Sequence, residues 1–220
     1  MKPTFRCASG ALAIALCASA QLASAANGLD PTFGDDGLTE FVLGDVRATN
    51  LVKSMVTADD GVVTMCGALG LELADRKAAI LRVLANGSQD PGFGPQHGWV
   101  VLPGTVGCDD LALQSTGNVI ALIHTDSGYH LNRILANGSI DPQFGVQGVT
   151  QLWPDIARPK AVGVLGNGDI VVAGLNVDWQ DGNSDFRVRR YTANGAPVPG
   201  FGSGGNADLA FDQGSSMTMW

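Results

Sequence analysis

The chain has 220 residues, 45% of them hydrophobic, and a formal charge of −8, enough apolar material for one full core and a poor match for a phosphate backbone. Thirty glycines and ten prolines leave little room for uninterrupted helix. Helical bundles and nucleic-acid binding are therefore excluded at the outset.

In chain order the first element is residues 1–25. "MKPTFR" carries Lys2 and Arg6, "CASGALAIALCASA" is a short apolar run, and "ASA" at Ala23 to Ala25 is a small-x-small cleavage signal. Together they read as a secretory signal peptide cut after Ala25. A membrane anchor needs about 20 apolar residues, and this run is shorter and broken by Ser9, Gly10 and Ser19. A lipoprotein signal would acylate Cys17, but Leu16 stands where that signal wants a small residue. The expectation is a protein exported to the periplasm or beyond, with no membrane span. Without Lys2 and Arg6 the mature chain, 26–220, carries a charge of −10. Without Cys7 and Cys17 it keeps Cys66 and Cys108, an even pair that can bridge in an oxidising compartment. The alternative for both is a small buried apolar residue.

From Leu29 onward one turn recurs: "LDPTFG", then "QDPGFG" from Gln89, "IDPQFG" from Ile140 and "PVPGFG" from Pro197. Phe33, Phe93, Phe144 and Phe201 mark the register at intervals of 60, 51 and 57 residues, the signature of a repeat architecture. The repeats span about 29–88, 89–139 and 140–196, with a partial fourth at 197–220. After each turn comes a short β-rich run: "GLTEFVL" from Gly37, "GWVVL" from Gly98, "GVTQLW" from Gly148, "NADLAF" from Asn206. Two strands joined at a glycine follow, as in "LALQSTGNVIALI" and "VGVLGNGDIVVAG". A last strand carries an arginine at one place: "AAILRVLANG", "YHLNRILANG" and "RVRRYTANG". Asp60-Gly61, Thr116-Gly117 and Asn167-Gly168 accept the positive φ of tight turns. Runs such as "NVIALI" are apolar on both faces, as in strands buried between neighbouring sheets. Four strands per unit of 50 to 60 residues predict an all-β fold, a β-propeller-type array of four-stranded blades.

The order "LDPTFG", apolar strand, "NGDIVVAG", "DFRVRRYTANG" resembles the delta-60 repeat family of exported bacterial propeller-like proteins, over roughly Gly28 to Trp220. Val198 departs from the pattern by standing where Asp90 and Asp141 stand in the other turns. The low copy number departs from it too, since closed propellers take 4 to 8 blades. Three accounts compete: a truncated product, an oligomer that shares blades, or an open stack. Truncation is preferred, because the last ten residues hold no polar cap and a cut sheet exposes an unpaired edge open to self-association.

In the repeated turn Pro fixes φ, Gly permits the reversal, and the phenylalanines are free to plug the joint between sheets. Arg82, Arg133 and Arg190 alternate with apolar residues and read as struts to turn carbonyls or to the turn aspartate. Function then rests on what does not repeat. His97 lies in a turn, and His124 and His130 flank the hairpin "TDSGY", where cross-strand placement can bring two imidazoles together beside Asp126; exposed hairpin histidines are the simpler reading. "DWQDGNSDF" offers Asp178, Asp181, Asn183 and Asp185, loosely like a calcium loop but without its register or closing Glu. "NGS" at Asn86 and Asn137 matches a glycosylation acceptor yet recurs as turn chemistry. Trp99, Trp153, Trp179 and Trp220 are candidate sugar-stacking residues, although Trp99 and Trp153 lie in equivalent strands and read more simply as core.

No nucleophile elbow, zinc-protease motif, phosphate loop or Cys-x-x-Cys is present. The expectation is a non-catalytic binding or scaffold module for a protein or glycan partner, without cofactor, calcium being the secondary reading. The alternatives are an exported glycan hydrolase or lyase using acidic loops on one face, and a fragment without independent function.

Overall fold

The computed structural model describes residues 28–41, 43, 51–70, 73–152, 156–177 and 184–209. The expected signal peptide lies outside them. Two compact units are present, one formed by 28–41 with 85–88, the other by the described residues of 42–84 and 89–209.

The larger unit holds twelve strands in three antiparallel sheets of four, each running in simple chain order. The first sheet is β1 (Leu51–Thr57), β2 (Val63–Leu69), β3 (Lys77–Val83) and β4 (Trp99–Leu102). The second is β5 (Gly107–Leu113), β6 (Val119–Thr125), β7 (Gly128–Ile134) and β8 (Thr150–Gln151). The third is β9 (Arg158–Val164), β10 (Ile170–Val177), β11 (Ser184–Tyr191) and β12 (Asn206–Leu209). Among the described residues there is no α-helix, only a 3-10 turn at Leu73–Asp75.

The first hairpin of every sheet closes the same way. Ala58 N donates to Val62 O, Gln114 N to Asn118 O and Leu165 N to Asp169 O, at 2.8–2.9 Å. The glycines Gly61, Gly117 and Gly168 take φ of 82°, 80° and 86°, a region closed to most side chains.

The sheets are offset from the sequence repeat by one strand. Each fourth strand lies beyond the Phe-Gly turn, yet that turn is a hairpin and folds it back onto the third strand: Ala78 pairs with Leu102, Leu131 with Thr150, Phe186 with Leu209. Two expectations change. "NADLAF" does not start a fourth blade, because its first four residues, β12, complete the third. "GLTEFVL" is not a strand over its described residues and makes only the bridge Asp35–Leu38. Its counterparts are all fourth strands paired to an upstream third strand, and the described residues before Gly37 form none.

Two cores fill the spaces between consecutive sheets. Cys66, Ala78, Ile80 and Phe93 of the first sheet meet Cys108, Leu111, Ala121 and Ile123 of the second. Ile120, Leu122, Leu131 and Phe144 then meet Val162, Ile170, Val172 and Tyr191 of the third. Strand β6 has its apolar residues on both faces because it lies between the two; Ile120, Ala121, Leu122 and Ile123 are all fully buried. A disulfide between Cys66 and Cys108, with Cα atoms 5.7 Å apart, ties β2 to β5 across the first core.

The first strand of every sheet carries a bulge at one place, leaving Lys53, Asp109 and Lys160 as the extra residues. Such a bulge re-aims side chains and strengthens the local twist. In the first and third sheets the backbone opposite it is glycine: a Cβ on Gly67 would strike the Leu51 carbonyl oxygen, and one on Gly174 the Arg158 carbonyl oxygen. Just past the bulge Asp110 links the three first strands. Its Oδ1 accepts from Ser54 Oγ at 2.6 Å and its Oδ2 from Val162 N at 2.8 Å.

Candidate functional site

Successive strands run in opposite directions, so the hairpins joining first to second and third to fourth strands share one end of a sheet, and the remaining connections share the other. The repeated turns occupy the first end, and there the repeated side chains contact one another. Phe93 and Phe144 are buried at 2% and 0% exposure, while Phe33 and Phe201 are half-buried. Gly94 N donates to Asn137 O, and Gly145 N to Asn194 O, so each Phe-Gly turn is capped by the Asn-Gly turn of the next blade. A Cβ on Gly138 would lie 2.6 Å from Gly94 N. The smaller unit shows the same docking by itself, with Gly34 N on Asn86 O at 2.8 Å and Thr39 Oγ1 on Gly87 O at 2.7 Å.

The arginines span these joints. Arg133 donates from Nε and Nη2 to Asp141 Oδ2 at 2.8 and 2.7 Å and from Nη1 to Ala193 O and Asn194 Oδ1, with its guanidinium 5.3 Å from the Phe144 ring centre. Arg82 repeats the arrangement more loosely, 3.4 Å from Asp90, 2.9 Å from Ala136 O and 5.7 Å from the Phe93 ring. A backbone N–H from Gln143, and then the Arg133 guanidinium, hold the Asp141 carboxyl below its ordinary range against the opposing effect of burial. In the third blade Val198 removes the turn aspartate, and Arg190 turns instead to Asp169 Oδ2 at 2.6 and 2.8 Å. The carboxylate has moved to the other hairpin of the same end, where the first two blades carry Val62 and Asn118. Aspartate at that position is visible in "NGD", but its pairing needs the hairpin alignment.

At the opposite end the connections between second and third strands differ in length. They span 70–76, 126–127 and 178–183: seven, two and six residues. In the second blade this end is fully described. His124 and Tyr129 face each other across β6 and β7 with rings stacked at 4.6 Å and 9°. Thr125 Oγ1 closes the hairpin on Gly128 O at 2.9 Å. Burial pushes the Tyr129 phenol up, the Asp109 carboxylate adds to the shift, and the Arg158 guanidinium opposes it. The two stacked rings thus lie within electrostatic reach of the bulge-borne Asp109 carboxylate and of the Arg158 guanidinium of the next blade. They offer an aromatic face with donors and acceptors, and a phenol that stays protonated at neutral pH. Sequence reasoning did not single out Tyr129, Asp109 and Arg158. Asp109 stands out only once the bulge register equates it with Lys53 and Lys160.

The histidines are not a pair. His124 pairs with Tyr129 and Ile123 with His130, so the alternation of a strand sends the imidazoles to opposite faces. His130 is no exposed hairpin residue either: it is half-buried, 2.9 Å from Asn132 Oδ1, and burial pushes its pKa down. His97 has φ of 54° like Gln147 at the equivalent position, and its Nδ1 lies 3.3 Å from Pro91 O. Asp178, Asp181 and Asn183 lie outside the described residues, while Asp185 sits in β11 opposite Asn176. Among the described residues no three or more His, Cys, Asp or Glu are grouped to hold a metal. Trp99 is half-buried in β4; Trp153, Trp179 and Trp220 lie outside the described residues. No described helix is long and apolar enough to cross a membrane.

No curated protein matches the chain. A family model described as "Domain of unknown function (DUF5122) beta-propeller" matches residues 165–201, from the first hairpin of the third sheet to its Phe-Gly turn. With three consecutive four-stranded sheets on either side of two shared cores, the chain is an all-β protein of β-propeller-like repeats.

Proposed function

We propose that this chain is an exported, non-catalytic binding module of the delta-60 repeat type, which presents the variable-loop end of its blades to a glycan or protein partner in the periplasm or outside the cell. The observation that carries the reading is the division of labour between the two ends. At one end Arg82, Arg133, Phe93 and Phe144, with the turn aspartates Asp90 and Asp141, are taken up in joints between blades. At the other, connections of seven, two and six residues vary on a constant frame, the arrangement in which loops acquire recognition. Export is supported by the sequence signal before Ala26. The stacked His124 and Tyr129 rings beside Asp109 and Arg158 suit a sugar face or a peptide with mixed polarity.

The test is calorimetric titration of the chain with a panel of soluble neutral and acidic polysaccharides and with peptides of mixed charge, each run paired with an assay for new reducing ends. The expected result is saturable binding without cleavage, weakened at least about tenfold by Tyr129→Ala, a loss of about 1.4 kcal/mol. Release of reducing ends would replace the binding module with a glycan-cleaving enzyme. Binding that Tyr129→Ala leaves unchanged would move the site away from the second blade.

A further inference from the structure

Lysines are few in this chain, and they are sorted. Beyond Lys2 there are three, Lys53, Lys77 and Lys160, all exposed. They lie near the start of β1, at the start of β3 and near the start of β9. First and third strands both begin at the variable-loop end, so all three stand there. The arginines of the joint end are placed differently. Arg82, Arg133 and Arg190 are each within 3.4 Å of a carboxylate, that of Asp90, Asp141 or Asp169, a use that suits a rigid guanidinium fork better than a flexible ammonium.

Two of the lysines occupy one structural position. Lys53, Asp109 and Lys160 are the extra residues of the bulges in three consecutive first strands. Those strands are tied together just past the bulge, Ser54 Oγ donating to Asp110 Oδ1 at 2.6 Å and Val162 N to Asp110 Oδ2 at 2.8 Å. The three blades therefore set ammonium, carboxylate and ammonium on neighbouring strands at one level. Beside the middle position the second blade carries the half-buried His124 and Tyr129 rings, stacked at 4.6 Å, the phenol kept protonated by burial and by Asp109. Arg158, exposed at the first position of β9, adds a guanidinium within electrostatic reach of that phenol.

From this placement we infer that the partner is a glycan of carboxylate-bearing sugars, a polyuronate, lying across the first strands with one sugar ring on the His124 and Tyr129 stack. The inference rests on the binding-module reading and narrows its partner. A sugar ring has an apolar face that suits a stacked aromatic surface, its hydroxyls donate to Asp109, and carboxylates repeated along a polymer meet cations repeated from blade to blade. A neutral glycan leaves the lysines without a counterpart, and an acidic peptide brings no sugar face to the stack. Asp75, Asp126 and Asp185 share this end and the whole chain carries −8, so no long-range field gathers a polyanion. The preference comes from contact, and substituting the contacts should remove it.

Calorimetric titration of the full chain with oligogalacturonate, and with the same oligomer fully methyl-esterified, separates charge from ring, since the ester keeps every sugar face and loses every carboxylate. The free acid should bind at least about tenfold more tightly than the ester, and at least about tenfold more tightly than polyglutamate, which has carboxylates without sugar rings. Lys53→Gln combined with Lys160→Gln, both at exposed positions, should bring the acid down to the affinity of the ester, whereas Tyr129→Ala should weaken both forms. Circular dichroism checks the strand content of both variants. Equal affinity for acid and ester would overturn the inference and leave the binding module standing with a neutral glycan as partner. Polyglutamate bound as tightly as the acid would put an acidic peptide in the glycan's place. A double variant that still prefers the acid would take the lysines out of the site and overturn it as well. Oligogalacturonate that fails to bind at all would also overturn it, and the broader panel of polysaccharides and peptides then decides separately whether the module reading survives.

Discussion

Replacing Arg133 with Met keeps the aliphatic stem over Phe144 and removes the guanidinium, and the structure sets what this should cost. Arg133 makes two contacts to Asp141 and two to the next blade, and the side chains of the pair are only 11% and 12% exposed. Asp141 keeps its charge in the variant, because the Gln143 N–H is the largest influence holding its carboxyl low. The variant thus leaves an ionised, mostly buried carboxylate without its counter-ion, for which breaking a buried pair costs about 3–5 kcal/mol. Residual water access places Arg133→Met near about 3 kcal/mol. Arg82→Met starts from a 3.4 Å contact, 19% exposure on both side chains and one bond to Ala136 O, so about 1–1.5 kcal/mol is expected. With a urea slope of about 2 kcal/mol per molar, the two midpoints should differ by nearly 1 M. Equal midpoints, or a larger loss at Arg82, would refute the reasoning that joint strength follows the contacts made between blades.

Gly67→Ala and Gly174→Ala drive a Cβ into backbone carbonyls and should each cost about 2 kcal/mol or more, while Gly163→Ala, whose nearest neighbour is a Val171 methyl at 3.4 Å, should stay within about 0.5 kcal/mol; urea midpoints decide, and equal losses at all three would sink the close-approach argument. Opening the Cys66–Cys108 bridge, separated by 42 residues in sequence, should remove about 4 kcal/mol on the loop-entropy account, read as a lower melting temperature in reductant, which Cys66→Ser should match and reductant should not lower further. Burial lowers the folded pKa of His130, so the unfolded chain binds the extra proton between that value and about 6.5. Its contribution is therefore present above about pH 6.5 and is lost as pH falls through that window. Urea midpoints at pH 7.5 and 5.5 should fall less in His130→Gln than in wild type, and equal falls would show that His130 is not the titrating group.

The strand content and the turn chemistry were legible because each rests on adjacent residues. Asp60-Gly61, Thr116-Gly117 and Asn167-Gly168 announce hairpins, and all three glycines take positive φ. Which strands share a sheet was less so. Reading from turn to turn groups "GWVVL" with the strands after it, whereas a hairpin returns it to the strand before, and no composition distinguishes the two. The histidines failed for a related reason: flanking one hairpin puts two residues near each other in sequence space, but only the pairing of His124 with Tyr129 fixes which face each occupies. Arg190 is the subtler case. Its missing turn aspartate was plain in Val198, but its replacement by Asp169 depends on two hairpins lying at one end of one sheet.

The one-strand offset between repeat and sheet also explains why the two ends have diverged. Because the Phe-Gly turn lies within a blade's last hairpin, in the first two blades it is held on both sides: by its own sheet through β4 or β8, and by the Asn-Gly turn of the following blade. A substitution there loosens two blades at once. The connections at the other end lie a strand's length away from these turns, so length and charge can change there without disturbing the turn-to-turn bonds. Asp109 shows how far that freedom reaches. It occupies the bulge position that holds lysine in the flanking blades, reversing the local charge beside Tyr129 while Asp110, its immediate neighbour, keeps the bonds that join the three first strands. Adjacent residues of one strand thus carry opposite obligations, one to the scaffold and one to whatever the blade meets, and it is the bulge that separates them.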